Sequence, residues 1–366
     1  MFAVSKIIDH EVEKALNLEP EESAEVAGLM YVRSDDLQII RKKVGRGFSY
    51  IDVNGDRIKD KVELERLKSL AIPPALTDVL LCHLPNGHLQ ATGRDKKKRK
   101  QYFYHSHWRK VRSQHKFNRM LLFGACLPLI RETTSKHLLL DGLPKEKVLA
   151  AVVQLLETTL IRVGNDHYAK KNSSFGLTTL RDRHVDISGT KVKFEFRGKS
   201  GVDHEIELKD RRLAKVIGQC KEIPGYEIFK YFDESGNKID VDSGDVNDYL
   251  QQITQKEFTA KDFRTWAGTL LTAIELNELG EFESEKQAQK NVVKAIKNVA
   301  KQLGNRPATC RNYYVHPAVV EAYYDGSLLD LMSQTHEEKP EVNKLNPEEI
   351  VILKIIKQAL PLSVVK

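Results

Sequence analysis

No two cysteines in this chain stand close together. Cys82, Cys126, Cys220 and Cys310 are widely spaced and form no C-x-x-C pair, which excludes a zinc ribbon and a disulfide framework; ordinary reduced thiols are expected. No apolar run approaches the length of a membrane span, and the opening Met1-Phe2-Ala3-Val4-Ser5-Lys6 is too short and too soon charged for a secretory segment, so an intracellular protein with no membrane partner is expected. There is no G-x-x-x-x-G-K-S/T loop, no H-E-x-x-H pair and no acidic cluster suited to magnesium, so no nucleotide, metal or other cofactor is expected. Internal repeats are also missing.

What is present is length, charge and one local excess of bases. The 366 residues, 41% hydrophobic and 30% charged, suit two globular domains with separate cores. The net charge of +7 is modest. Residues 94–119, however, hold eleven bases (Arg94, Lys96, Lys97, Lys98, Arg99, Lys100, Arg109, Lys110, Arg112, Lys116 and Arg119) against Asp95 alone, so the other residues together carry −3. The basic character is a patch, and its partner should be a polyanion.

Along the chain, residues 1–27 read as a helix with a loose lead-in. Residues 47–56 read as a hairpin turning at Asn54-Gly55, which accepts positive φ at both centres. Asp52, Asn54, Asp56 and Glu63 also fall at calcium-loop positions, but Arg57 stands where the loop needs glycine, so calcium is not expected. Strands at 79–82 and 88–92 complete a small β-rich domain, 1–115. The second domain, 116–366, opens with an apolar run at 120–130. Val148, Leu149, Val152, Leu155, Leu156, Thr159 and Leu160 predict a helix that stops near Gly164, with Arg162 on its last turn. Short strands follow at 185–187, 191–196 and 205–208, and Lys199 lies at the hairpin tip between the last two. Thr259 and Asp262 form a capping box that places Arg264 in the first turns of a helix. Another helix over 292–303 ends at Gly304, Asn305 follows, and a final helix opens at Asn346-Pro347-Glu348-Glu349. Trp108 and Trp266 are expected as core anchors, and Tyr313 as a packing aromatic.

Arg162, Lys199, Arg264, Asn305 and Tyr314 suit one chemistry, attack on a phosphodiester. Two arginine forks can hold the non-bridging oxygens and stabilise the charge that grows on them. A departing alkoxide needs a proton, which a lysine crowded by arginines can supply. A phenol, with an ordinary pKa of about 10, attacks when cations favour its phenolate or a base takes its proton. The product, a phosphotyrosyl ester, stores the broken bond, so religation needs no external energy source. Asn305 can donate to a phosphate oxygen but cannot exchange a proton.

The ordered stretches Gly47-Phe48-Ser49-Tyr50, Ile72-Pro73-Pro74-Ala75, Gly87-His88-Leu89-Gln90-Ala91-Thr92-Gly93-Arg94-Asp95, Lys100-Gln101-Tyr102-Phe103-Tyr104, Arg162-Val163-Gly164-Asn165, Gly176-Leu177-Thr178-Thr179-Leu180, Gly198-Lys199-Ser200-Gly201, Lys261-Asp262-Phe263-Arg264-Thr265-Trp266 and Leu303-Gly304-Asn305, with Tyr314 nine residues later, resemble the type IB DNA topoisomerases of the short bacterial and poxviral kind. The resemblance runs from about residue 28 to about residue 324. It implies an α+β fold, a small β-rich N-terminal domain and a larger, mainly helical catalytic domain with a small sheet, closing as a clamp around double-stranded DNA. It also implies Tyr314 as nucleophile, Arg162 and Arg264 on the phosphate, Lys199 as proton donor to the 5′ oxygen, duplex contacts from Lys100, Gln101, Tyr102 and Tyr104, and Tyr168 close to the site. A monomer in the cytoplasm, associated with a bacterial nucleoid, is the expectation.

Two other readings fit parts of the pattern. A tyrosine recombinase uses a similar residue set but usually has a histidine three residues before the second arginine, where this chain has Lys261. A catalytically silent DNA-binding protein would need only the basic patch. Lys96 to Lys100 alone also suit a nuclear import signal, and His105, His107 and His115 a metal, though no cysteine or carboxylate joins them.

Overall fold

The computed structural model describes residues 20–334 and 344–360. Of the stretch 1–27, residues 20–27 fall within the described residues, with helix α1 over Pro20–Val26. The side chains of residues 26, 110–116 and 118 lie outside them, among them Lys110, Arg112, His115 and Lys116. The chain divides into two compact units between Arg119 and Met120.

The first unit is built on strands β1 (Ile39–Val44) and β2 (Gly47–Ile51), helix α2 (Lys61–Ser69), and strands β3 (Thr77–Leu81), β4 (Leu89–Arg94) and β5 (Lys100–Tyr104). Its antiparallel sheet has the order β2-β1-β3-β4-β5. Ile39, Tyr50, Val79, Leu81 and Ala91 alternate onto one face and are covered by Leu67 of α2, whose first turn is capped by the Asp60 carboxylate accepting from Glu63 N–H at 3.0 Å. The hairpin expected over 47–56 is displaced. Strand β2 pairs backward with β1, Val44 opposite Gly47, and the turn is made at Gly45, whose φ of +56° favours glycine. Asn54-Gly55 closes a smaller loop held by one bridge between Ile51 and Arg57. There Asp52 Oδ1 accepts from the N–H groups of Asn54 and Asp56, both at 2.9 Å, so this carboxylate is taken up by its own loop. Helix α3 (Ser106–His137) carries the chain across the division, and Trp108 on it is buried.

The second unit continues through α4 (Lys145–Thr159), α5 (Asp166–Asn172), strands β6 (Val185–Ser188), β7 (Lys191–Arg197) and β8 (Asp203–Lys209), α6 (Arg211–Glu222), the short pair β9 (Lys230–Phe232) and β10 (Lys238–Asp240), α7 (Ser243–Thr254), α8 (Ala260–Leu279), α9 (Glu285–Gln302), α10 (Pro307–Tyr313), α11 (Pro317–Tyr324), α12 (Ser327–Ser333) and α13 (Pro347–Gln358). Helix α8 is central, packing against α4, α9 and α13. Phe123 of α3 meets Phe258 and Phe263 edge to face at 5.3 and 5.0 Å, and Trp266 is buried beside them. The buried Glu349 binds α13 to this core. It accepts from Arg131 at 2.9 and 2.7 Å, from the Trp266 indole at 3.2 Å and from Asn346 N–H at 2.8 Å. Burial alone would lower the Arg131 pKa, but the Glu349 and Glu157 carboxylates hold it above its ordinary value. The architecture is α+β, a β-rich unit followed by a larger helical unit with a small sheet.

All four cysteines are buried free thiols. Among the described residues, no three His, Cys, Asp or Glu side chains gather as a metal site, and no helix is long and apolar enough to cross a membrane.

Candidate active site

Helix α4 ends at Thr159, earlier than the expected stop near Gly164, because Leu160 adopts the left-handed conformation at φ 57° and closes the helix without a glycine. Arg162 is therefore not on a helical turn. It sits in an extended segment held by Leu177 N–H donating to Arg162 O at 2.8 Å and Thr178 N–H to Val163 O at 2.7 Å. Gly176 makes this pairing possible, since a Cβ there would lie 2.5 Å from Arg162 O.

Arg264, in the second turn of α8, is 4% exposed. Its helix start is fixed by Asp262, which accepts from the N–H and the hydroxyl of Thr259 at 2.8 and 3.0 Å. The Arg264 guanidinium donates to Leu160 O, at the end of α4, and to Leu303 O at 2.6 Å, at the end of α9. Arg162 Nη2 donates to Gly304 O at 3.2 Å and to Asn305 Oδ1 at 2.6 Å. Helix C-termini present unpaired carbonyls and the negative end of the dipole, so they can seat guanidinium groups without a carboxylate. None of the carboxylates among the described residues pairs with either arginine. Burial, then the neighbouring Arg162 charge, pushes Arg264 down to about 10, while Tyr314 acts in the opposite direction. Burial likewise lowers Arg162, with Tyr314 again opposing. Buried charges are ordinarily paired, and here two cations lie close together with only dipoles as partners. Such a pair of cations is chemically suited to an anion.

Tyr314 caps α10, whose start is set by Pro307 in the first turn. The Arg264 guanidinium carbon lies 5.5 Å from the centre of the Tyr314 ring. The tyrosine backbone is pressed against α8: a Cβ on Gly268 would come within 2.5 Å of Tyr314 O, and Thr269 Oγ1 donates to that oxygen at 3.2 Å and accepts from His316 N–H at 3.1 Å. Tyr313, expected to pack, is instead 56% exposed, whereas its neighbour Tyr314 lines the cavity beside Arg264.

Lys199 lies between β7 and β8, at a tip where Ser200 and Gly201 both have positive φ (64° and 75°). Arg162, Lys199, Arg264 and Tyr314 line one cavity of about 820 Å³ together with Tyr168, Arg197 and Lys261. Tyr168 reaches it from the first turn of α5, which Asn165 caps by accepting Tyr168 N–H at 3.2 Å. Asn305 stands behind this surface. Its Nδ2 is buried without a hydrogen-bond partner, as is Nε of Arg264.

In the first unit, β5 separates residues that were grouped in the sequence. Tyr102 and Tyr104 stack on one exposed face at 6.2 Å, with the Lys100 ammonium 5.6 Å from the Tyr102 ring centre. Gln101 leaves on the opposite side, beside Phe103 of the core, and donates to Asp95 Oδ2 at 3.2 Å. Gly268, Thr269 and His204 were not singled out in the sequence. A lone glycine inside an amphipathic helix signals close packing and pointed at Gly268. Nothing comparable marked the other two.

The catalytic-core model of eukaryotic DNA topoisomerase I matches residues 105–342, and that of the bacterial DNA topoisomerase IB N-terminal domain matches residues 47–95. A DNA topoisomerase 1B of Acanthamoeba polyphaga mimivirus is 31% identical over 78% of this chain and 87% of its own length. The DNA topoisomerase 1B of Vaccinia virus (strain Copenhagen) and the DNA topoisomerase I of Monkeypox virus are each 28% identical over 75% of this chain and 87% of their own.

Proposed function

We propose, from the premise that this chain belongs to the type IB DNA topoisomerase family and is a DNA topoisomerase, that it relaxes supercoils through a transient ester between Tyr314 and the 3′ end of one DNA strand. The observation that carries the reading is the pair of guanidiniums beside the Tyr314 ring, held by helix C-termini and lacking a carboxylate. A scissile phosphate would occupy the place of that missing counter-charge.

Arg162 and Arg264 bind the non-bridging oxygens and stabilise the charge that develops on them. The Tyr314 oxygen gives up its proton to solvent as it attacks phosphorus. The new bond joins phosphorus to the tyrosine oxygen, the bond to the 5′ oxygen breaks, and Lys199 delivers a proton to that oxygen. Asn305 orients Arg162 through Oδ1 and offers its Nδ2 to a phosphate oxygen, without proton exchange. After rotation, the free 5′ hydroxyl returns its proton to Lys199 and attacks phosphorus; the bond from phosphorus to the 5′ oxygen re-forms, the bond to the Tyr314 oxygen breaks, and Tyr314 regains a proton from solvent. Diester and phosphotyrosyl ester are similar in energy, so this cycle needs neither ATP nor a metal.

The same reading gives Tyr168 a place beside the scissile strand. Lys100, Tyr102 and Tyr104 become duplex contacts through charge and stacked rings, with Gln101 reaching DNA only if it leaves Asp95. The two units act as a clamp on the duplex, as a monomer, in the cytoplasm with the nucleoid. Supercoiled plasmid incubated with the protein, without ATP and with a chelator, should be relaxed. Tyr314→Phe should abolish relaxation and keep DNA binding; relaxation by that variant would remove Tyr314 from the mechanism.

A further inference from the structure

Lys199 is exposed on a two-strand projection, yet proton donation requires its ammonium to meet one particular oxygen within hydrogen-bond reach. Its tip is bent by consecutive positive φ angles at Ser200 and Gly201, so its aim depends on how the base of the hairpin is held. One side chain stands at that base. The half-buried His204, on β8, stacks on Phe196 with ring centres 5.1 Å apart and planes 16° from parallel. A Cβ added at Gly198, the residue before Lys199, would lie 2.6 Å from His204 Cδ2. A Cβ added at Gly304, the residue before Asn305, would lie 2.7 Å from His204 Cε1. The imidazole thus touches two backbones at once. One leads into the proton donor, and the other offers its carbonyl to Arg162. Arg162, Gly198, His204 and Leu303 also line one small void of about 10 Å³.

We propose that His204 is a positioning residue, a strut that sets the distance and angle between the Lys199 hairpin and the turn supporting Arg162 and Asn305. The inference rests on the role given to Lys199 above. The chemistry of the side chain suits the place. Burial first, then the charges of Arg162 and Arg264, lowers its pKa, which favours a neutral ring beside two guanidiniums where a lysine or arginine would add repulsion. The two glycines are the complementary half of the contact, since any side chain at 198 or 304 would push the ring out.

The test uses DNA in which the leaving 5′ oxygen at the cleavage site is replaced by sulfur. A thiolate departs without a proton, so a defect confined to proton delivery disappears on this substrate. His204→Ala should slow single-turnover cleavage of ordinary DNA by about 100-fold, the scale of a misplacement near 1 Å. On the sulfur substrate it should cleave within about 10-fold of the wild type, with DNA binding unchanged, and His204→Phe, which keeps a ring on Phe196, should lie between the two. An equal loss on both substrates, or no loss on either, overturns the proposal. If the alanine variant melts early, His204→Gln carries the same expectations and the same refutation. Lys199→Ala is measured alongside. If sulfur does not restore its cleavage, the role of Lys199 fails and the proposal with it; if sulfur restores Lys199→Ala but not the His204 variants, only the strut fails.

Discussion

Gly268→Ala is the sharpest probe of how the nucleophile is held. The added Cβ would lie 2.5 Å from Tyr314 O, 2.7 Å from Tyr314 Cβ and 3.1 Å from Tyr314 C, all belonging to backbone or to the root of the side chain, so none can swing aside. Carbon contacts are comfortable at about 3.5 Å, which requires the Tyr314 segment to retreat on the order of 1 Å. Overpacking of this kind costs about 1–3 kcal/mol, while replacing a helical glycine with alanine returns roughly 0.5–1 kcal/mol, so the fold should lose no more than about 2.5 kcal/mol. The chemistry is more sensitive. A 1 Å displacement of a reacting group can slow its step by about 100-fold, equivalent to roughly 2.7 kcal/mol of barrier. Gly218→Ala in α6 is the control, because an added Cβ there meets nothing within 4 Å; it should raise stability by roughly 0.5–1 kcal/mol and leave cleavage unchanged. Thermal melting and single-turnover cleavage of a duplex would be measured for both variants. Cleavage by Gly268→Ala at the wild-type rate would show that the backbone contact does not position Tyr314.

Asn305→Ala removes one of the two acceptors of Arg162 Nη2, leaving Gly304 O, and removes the donor Nδ2. A hydrogen bond to a charged group is worth about 1.5–3 kcal/mol, so cleavage should fall on the order of 10- to 100-fold without a change in its pH profile; an unchanged rate would take the amide out of the phosphate site. Glu349→Ala leaves Arg131 facing Glu157 alone and strips Trp266 of its indole acceptor. It should cost about 3–5 kcal/mol in chemical denaturation, and a loss below 1 kcal/mol would mean that α13 is held by apolar packing alone.

Periodicity and capping made the helices carrying Arg264 and the approach to Asn305 legible, because a Thr-x-x-Asp start and a glycine stop act within a few residues. Composition located the basic stretch before Tyr102 and Tyr104 for a similar reason, since charge counts need no geometry. The end of α4 was misjudged because Leu160 supplies a left-handed residue where a glycine is the usual sign. The turn after β2 was misjudged because β2 pairs with the preceding strand β1 through an equally local turn at Gly45, which the Asn-Gly signal did not reveal. Tyr313 and Tyr314 are adjacent and chemically alike, and only the orientation of α10 against α8 separates the exposed ring from the one beside Arg264.

Residue types and their order were enough to raise the expectation of attack on a phosphodiester and to name candidate side chains for it, because each role demands a particular acid, cation or amide. What they could not state is that the carbonyls ending α4 and α9 take the place of carboxylates around Arg264, that Gly268 admits the Tyr314 backbone, or that His204 stands between Gly198 and Gly304. Each of those includes a pair of positions tens of residues or more apart in sequence. Such contacts exist only once the helices have packed, since no local propensity encodes the distance between two helix ends.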